Sequence, residues 1–215
     1  QAAAYDWSEL KEGDEGAQVT ELQIRISGWV EMHANQKLLK TDGKFGPNTA
    51  TALKNFQSAY GIDASGVVDA ATQDKLNALE DSDGSTANFE FSEFHSKDGA
   101  GFSGGKVDAA TVKENVRRMM YKLEAMRKKA GDEPIKVNSA FRSESHNENV
   151  GGATNSQHMY GIAADIVISN NSVSDVIGLA KTSGFSGIIR YDTFTHVDNR
   201  MEHGYGQDDG WHWDV

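Results

Sequence analysis

The chain has no cysteine among its 215 residues. That absence removes disulfides, thiol nucleophiles and thiolate-held metals together, so any metal must sit on His, Asp or Glu. Proline is nearly missing too, with two residues against 22 glycines, which leaves many turns and few stiff linkers. No apolar run approaches the roughly 20 residues that span a bilayer, so no membrane partner is expected. The opening Gln1-Ala2-Ala3-Ala4 has neither a basic start nor an apolar stretch, so no secretory leader is legible there. Positive charge is scarce: 21 Lys and Arg stand against 32 Asp and Glu, a formal balance of −11. Phosphate polymers are bound through clustered cations, so nucleic acid is excluded as a partner. One basic run, Arg117, Arg118, Lys122, Arg127, Lys128 and Lys129, falls in a helical pattern and is expected to form a solvated face.

What is present is a hydrophobic share of 38%, ordinary for a globular chain and enough for two small domains. In residues 8–80, three stretches carry apolar residues at helical spacing. The first holds Val19, Leu22, Gln23, Ile26 and Trp29; the second Thr49, Ala52, Leu53, Phe56 and Tyr60; the third Val68, Ala71, Leu76 and Leu79. Turn chemistry precedes each, and Pro47 suits a first helical turn. An internal echo links Gly43-Lys44-Phe45-Gly46-Pro47-Asn48-Thr49 to Gly66-Val67-Val68-Asp69-Ala70-Ala71-Thr72. Together with Leu10 to Gly16, Leu22-Gln23 and Thr49 to Gln57, these motifs resemble the three-helix peptidoglycan-binding module. Residues 81–89 are mostly small and polar and read as a linker.

From residue 90 to 215 the pattern mixes helix and strand. Val112, Val116, Met119, Met120, Leu123 and Met126 place one long amphipathic helix over 108–129, with the methionines as core filler. Strands are expected at 135–141, 161–168, 187–190 and 194–198, and a helix at 173–181. Without regular βαβ order, the expected class is α+β with a small, mainly antiparallel sheet behind an N-terminal three-helix bundle.

Three stretches hold polar residues that plain strands would not need: Ser139 to Ser143, Ser156 to Asp165 and Phe194 to Asp198. His158 sits in a loop, Asp165 in the apolar strand that follows, and His196 in a distant strand. A buried carboxylate is costly unless it is paired or metal-bound. Two imidazoles and one carboxylate would leave an open fourth position on tetrahedral zinc, the arrangement of a catalytic site. Taken singly, each has a plainer role: a His can be hydrogen-bonded at the surface and a strand Asp can cap a turn.

The string Ser156-x-His158-x-x-Gly161-x-Ala163-x-Asp165, the closing His196-Val197-Asp198, Ser139-Ala140-Phe141-Arg142-Ser143 and Asn149-Val150-Gly151-Gly152 resemble the zinc D-alanyl-D-alanine carboxypeptidases, the M15 peptidases. The resemblance implies that His158, Asp165 and His196 bind Zn2+ and that Arg142 grips a substrate carboxylate or the developing oxyanion. Ser156 and Gln157 would orient the loop or bond to substrate. Relatives place a general base shortly before the last ligand, where this chain has Tyr191, Asp192, Thr193 and Phe194. Asp198, on the same strand face as His196, is read as the base, with Asp192 second. The tail Asp209-Gly210-Trp211-His212-Trp213 echoes the carboxylate-x-x-His ending of other branches, which keeps Asp209 and His212 open. His203 is unassigned, and His33, His95 and His146 are expected at the surface.

The resemblance implies a secreted, monomeric hydrolase of peptidoglycan stem peptides or cross-links, located outside the cell or in the wall. The alternative is a wall-binding protein that retains the zinc site without turnover. The bond cut stays open among D-Ala-D-Ala, a cross-link and L-Ala-D-Glu.

Overall fold

The computed structural model describes residues 5–203, 205 and 210–215. Helix α1 (Ala17–Arg25) continues into a 3-10 turn at Ser27–Trp29. Helix α2 (Pro47–Ala59) starts on its proline, where the missing N–H is harmless. Helix α3 (Ala70–Ala78) is capped by Asp69, whose carboxylate accepts from Thr72 N. Leu22, Trp29, Leu53, Phe56 and Leu76 fill the core between them.

The internal echo has a physical basis. Gln23 Nε2 donates to the Lys44 carbonyl (3.0 Å) and Thr49 Oγ1 (3.1 Å), while its Oε1 accepts from Gly43 N (2.9 Å). Gln57 repeats this with the Val67 carbonyl (2.9 Å), Thr72 Oγ1 (2.9 Å) and Gly66 N (3.0 Å). Both glycines have φ of +74°, which their role as turn residues requires. Each buried amide thus stitches a glycine turn to the helix start that follows it.

The second half is built on α4 (Ala109–Lys129), capped by Asp108. Then follow β1 (Ile135–Ser139), α5 (Glu144–Asn149), β2 (Ala163–Ile168), α6 (Val173–Thr182), β3 (Gly187–Arg190), β4 (Thr195–Asp198), α7 (Arg200–His203) and β5 (His212–Asp214). The strands form one sheet in the order β1-β2-β4-β3-β5. Pairings are antiparallel except for β3 with β5. The inner face of α4, methionines included, packs on this sheet together with Phe94, Phe141 and Phe185. The architecture is α+β, a helical bundle followed by a small, mainly antiparallel sheet. Among the described residues, no helix is long and apolar enough to cross a membrane.

Two expectations change. The basic run on α4 is not a solvated face. Lys122 is 2% exposed, donating to the Gly184 carbonyl (2.7 Å) and Asn199 Oδ1 (2.8 Å) and pairing with Glu202. Arg117 pairs with Glu21 of α1 (3.1 Å), and Lys129 donates to the Gly28 carbonyl (2.7 Å). Helical periodicity shows which residues share a face but not what lies on it. Here the bundle lies on it: Tyr121 and Ala125 belong to the bundle's core. A Cβ at Gly28 would stand 2.4 Å from Ala125 Cβ, so only glycine permits that approach.

Residues 81–89, expected as a linker, are an ordered tie. Asp81 N donates to the Ser85 carbonyl (2.9 Å), Ala87 N to the Leu79 carbonyl (2.8 Å), and Asn88 N and Nδ2 to Glu124 of α4 (2.9 and 2.8 Å). Phe89 is buried in the second core.

Candidate metal centre

The sheet brings the three separated segments together. In the β2–β4 pairing Asp165 stands directly opposite His196. His158 reaches the same point from a 3-10 turn at Gln157–Tyr160, whose start is capped by Ser156 Oγ accepting from His158 N (3.2 Å). The chain leaves that turn through Gly161 at φ +74°, where a Cβ would stand 2.8 Å from Val112 Cγ1. Glycine here lets the turn press against α4.

His158 Nε2 lies 3.3 Å and His196 Nδ1 3.2 Å from Asp165 Oδ1. One donor atom from each of the three residues falls within 4.8 Å of the others. Among the described residues this is the one such set of His and acidic side chains. All three are buried, with exposures of 4 to 6%.

The outer ring nitrogens are already engaged. His158 Nδ1 is 2.6 Å from the Ala140 carbonyl oxygen. A carbonyl only accepts, so Nδ1 carries the hydrogen and Nε2 presents its lone pair inward. Burial pushes the His158 pKa down, towards that neutral form. His196 Nε2 is 2.7 Å from Asp198 Oδ2. Burial opposes a charge on His196, but hydrogen bonds to Asp165 and Asp198 outweigh it and raise its pKa to about 9. A cation among the donors would replace the proton on Nδ1. Burial likewise opposes ionisation of Asp165, yet His158 and His196 hold its carboxyl well below the usual range.

The donors open on a cavity of about 380 Å³. Arg142, Ser156 and Gln157 make one part of its lining, and Val150, Ile189, Tyr191 and Phe194 an apolar part. Tyr191 and Phe194 stack at 4.5 Å on the β3–β4 turn. Arg142 joins the donors directly, its Nη2 being 3.4 Å from Asp165 Oδ2. A larger cavity of about 480 Å³ lies elsewhere, between residues 38–42 and Met201, Glu202 and Trp211, but the donor set does not line it.

The structure therefore unites His158, Asp165, His196 and Arg142. It corrects the reading of Asp198 as a general base facing substrate. Asp198 shares the strand face of His196, as alternation requires, but it meets the outer nitrogen and is fully buried. Its oxygens are saturated by Arg200, with Nε to Oδ1 at 3.0 Å, Nη2 to Oδ2 at 2.8 Å and the backbone N to Oδ1 at 3.0 Å. Asp192 is exposed on the turn and does not line the cavity. His212 is exposed on β5, opposite Gly187 and on the far side of β3 from the donors. Asp209 lies outside the described residues. His203 stacks on Tyr205, which stacks on Tyr160, away from the cavity lining. His33 is exposed; His95 and His146 are half-buried.

Sequence reasoning missed the Ala140 carbonyl, Arg200 and Asn147. Arg200 carried a signal, an arginine two residues beyond a strand carboxylate. A backbone carbonyl carries none.

Known proteins resemble the chain along most of its length. A family model described as Peptidase M15 matches residues 87–198, and one described as a putative peptidoglycan binding domain matches residues 15–76. A zinc D-Ala-D-Ala carboxypeptidase of Streptomyces albus G is 43% identical over 199 residues, spanning 90% of this chain and 76% of that protein. The solved SleB N-terminal domain aligns at 33% identity over 34% of this chain and 93% of that one, with a TM-score of 0.29. With the first match covering more than half of the 215 residues and a relative this similar along most of its own length, the chain belongs to the peptidase M15 family.

Proposed function

We propose that the chain is a zinc peptidase that hydrolyses peptide bonds in the stem peptides or cross-links of bacterial peptidoglycan. The observation that carries this is the convergence of three inward donors, His158 Nε2, Asp165 Oδ1 and His196 Nδ1. Both outer imidazole nitrogens are engaged behind them, by the Ala140 carbonyl and Asp198. Two neutral imidazoles and a carboxylate fit Zn2+ and leave a fourth position for chemistry. Outer partners of this kind fix ring orientation and raise ligand basicity. The relative's name, a zinc D-Ala-D-Ala carboxypeptidase, points to the same metal and substrate class.

Zinc held there supplies Lewis acidity towards a peptide carbonyl and towards water. The chain's own residues supply the rest. Arg142 stands beside Asp165 with a guanidinium suited to an oxyanion or a carboxylate. Asp198, clamped by Arg200, orients His196 rather than accepting a substrate proton. Val150, Ile189, Tyr191 and Phe194 shield one side of the cavity from water. Residues 8–80 carry the enzyme to the wall as its peptidoglycan-binding module, 81–89 tie the two parts, and 90–215 cut. The protein acts as a secreted monomer.

One observation keeps a second reading in view. Among the described residues, Asp165 is the sole carboxylate lining the cavity. A wall-binding protein with a retained zinc site would need no other.

Mass spectrometry of sacculi incubated with the protein separates the two. New peptide fragments that vanish with a zinc chelator and in His158→Ala establish the peptidase, and their masses name the bond. Zinc-loaded protein that stays on sacculi and releases nothing would overturn it in favour of the binding protein.

A further inference from the structure

Arg142 lines the cavity, and two of the three residues that set its position, Ser139 and Asn147, belong to no catalytic reading. A guanidinium has five N–H donors in a fixed plane. In Arg142 each nitrogen has one protein acceptor: Nε donates to Ser139 Oγ (3.2 Å), Nη1 to Asn147 Oδ1 (3.4 Å) and Nη2 to Asp165 Oδ2 (3.4 Å). By count, one N–H on each terminal nitrogen remains for a substrate oxygen. Ser139 and Asp165 sit on paired strands, whereas Asn147 comes from outside the sheet.

Asn147 is 4% exposed, and both ends of its amide are used. While Oδ1 accepts from Arg142, Nδ2 donates to the Ala153 carbonyl (2.9 Å). Its backbone carbonyl accepts from Gly152 N (2.8 Å). One residue therefore joins the cavity's cation to the 150–153 loop that forms another wall. The fit is tight: a Cβ on Gly152 would stand 2.0 Å from Asn147 Oδ1 and 3.1 Å from Arg142 Nη1. The short helix α5 that carries Asn147 is pinned at its start. Ser143 Oγ accepts from His146 N (3.1 Å) and donates to Asp98 Oδ2 (2.6 Å).

We propose that Asn147 is a positioning residue that fixes Arg142 and the 150–153 loop as one unit. It does not touch the reacting atoms. Its amide can accept from a guanidinium through Oδ1 and donate to a carbonyl through Nδ2 at once. The substrate-binding consequence rests on the peptidase reading; the positioning itself does not.

The test uses the whole chain and variants at Asn147 and Arg142. In nitrogen-15 NMR, the Arg142 guanidinium, assigned by its loss in Arg142→Lys, should show slow rotation about its Cζ–N bonds in the parent protein. In Asn147→Ala that rotation should speed up at least tenfold or so, and amide exchange at Gly152 should rise similarly. Asn147→Asp keeps the acceptor and loses the donor, so it should leave Arg142 slow and release the loop alone. This split would not follow from a general loss of stability, and it stands even if Asn147→Ala fails to fold. Guanidinium rotation unchanged in Asn147→Ala, or the loop unreleased in Asn147→Asp, overturns the proposal. On a soluble wall peptide, kcat/KM should fall roughly 10- to 100-fold in Asn147→Ala, with little further loss when Asn147→Ala is added to Arg142→Ala; equal losses in both backgrounds would overturn the coupling. An Arg142→Ala variant as active as the parent would sink the assigned role of Arg142 in hydrolysis and leave the NMR result to decide the positioning.

Discussion

The helical bundle and the peptidase half both bury polar side chains, but they finish them differently. Gln23 and Gln57 meet protein partners at both ends of the amide. His158 and His196 each have the outer nitrogen held, by the Ala140 carbonyl and by Asp198, while the inner nitrogens meet only Asp165, at the wall of a cavity. A buried polar group normally has its partners within the protein. Polar burial in the bundle closes on itself; polar burial in the sheet assembles a donor set that fits a metal ion.

Disturbing the outer partners of the donor set should give the largest effect. Gly187 pairs with Asp198 across β3 and β4, and a Cβ on it would stand 2.1 Å from the Asp198 carboxylate. Gly187→Ala must move that carboxylate off His196. Zinc affinity, read by chelator competition, and kcat/KM should each fall roughly 10- to 100-fold. Unchanged affinity would mean that Asp198 does not orient His196.

The bundle's amides should behave in the opposite way. Gln57→Ala leaves Gly66 N and the Val67 carbonyl without their buried partner. A loss of about 2 kcal/mol is expected, or roughly 4–8 °C in a chain of this size by calorimetry. Turnover of a soluble wall peptide should stay within about twofold of the parent. Gln23→Ala should match it, because the two amides make the same bonds. A large drop in turnover would break the division between the halves.

Much of this was legible in the sequence, and the misses share a cause. Period-2 and period-3.6 patterns located the strands, α4 and α6, because each lays one face on a core. Asp165 and His196 drew notice as polar residues in apolar strands, and the family resemblance of the Ser156 to Asp165 string joined the loop residue His158 to them. Asp198 was placed on the correct face but given the role of a base, since alternation cannot tell which imidazole nitrogen it meets or that Arg200 closes over it. The basic run on α4 was read as solvated because a single helix does not announce the bundle packed against it. The 81–89 segment looks like a linker by composition, yet Asn88 and Phe89 anchor it to α4 and the second core. Strand β5 adds three residues in parallel at the edge, too short to show a period.

The contact between the halves holds one last titratable group, and it sharpens the comparison most finely. Lys129 Nζ donates to the Gly28 carbonyl (2.7 Å), the Thr182 carbonyl (3.0 Å), Thr182 Oγ1 (3.2 Å) and Ser183 Oγ (3.2 Å), and lies 4.8 Å from the Trp29 ring centroid. No carboxylate is among these partners. Burial pushes its pKa down to about 7, against roughly 10.4 in an unfolded chain. Between those values the unfolded state binds more protons, so stability should rise with pH across that window and level off above it. Below about pH 7 both states are protonated and the slope vanishes. The gain should be at most on the order of 1 kcal/mol per pH unit. It is best read as the difference between the parent and Lys129→Met in denaturant titrations from pH 6.5 to 10. Curves that stay parallel would show that the four oxygens and the indole hold the ammonium charged. The junction would then resemble the bundle's amides, complete in itself, rather than the donor set beside it.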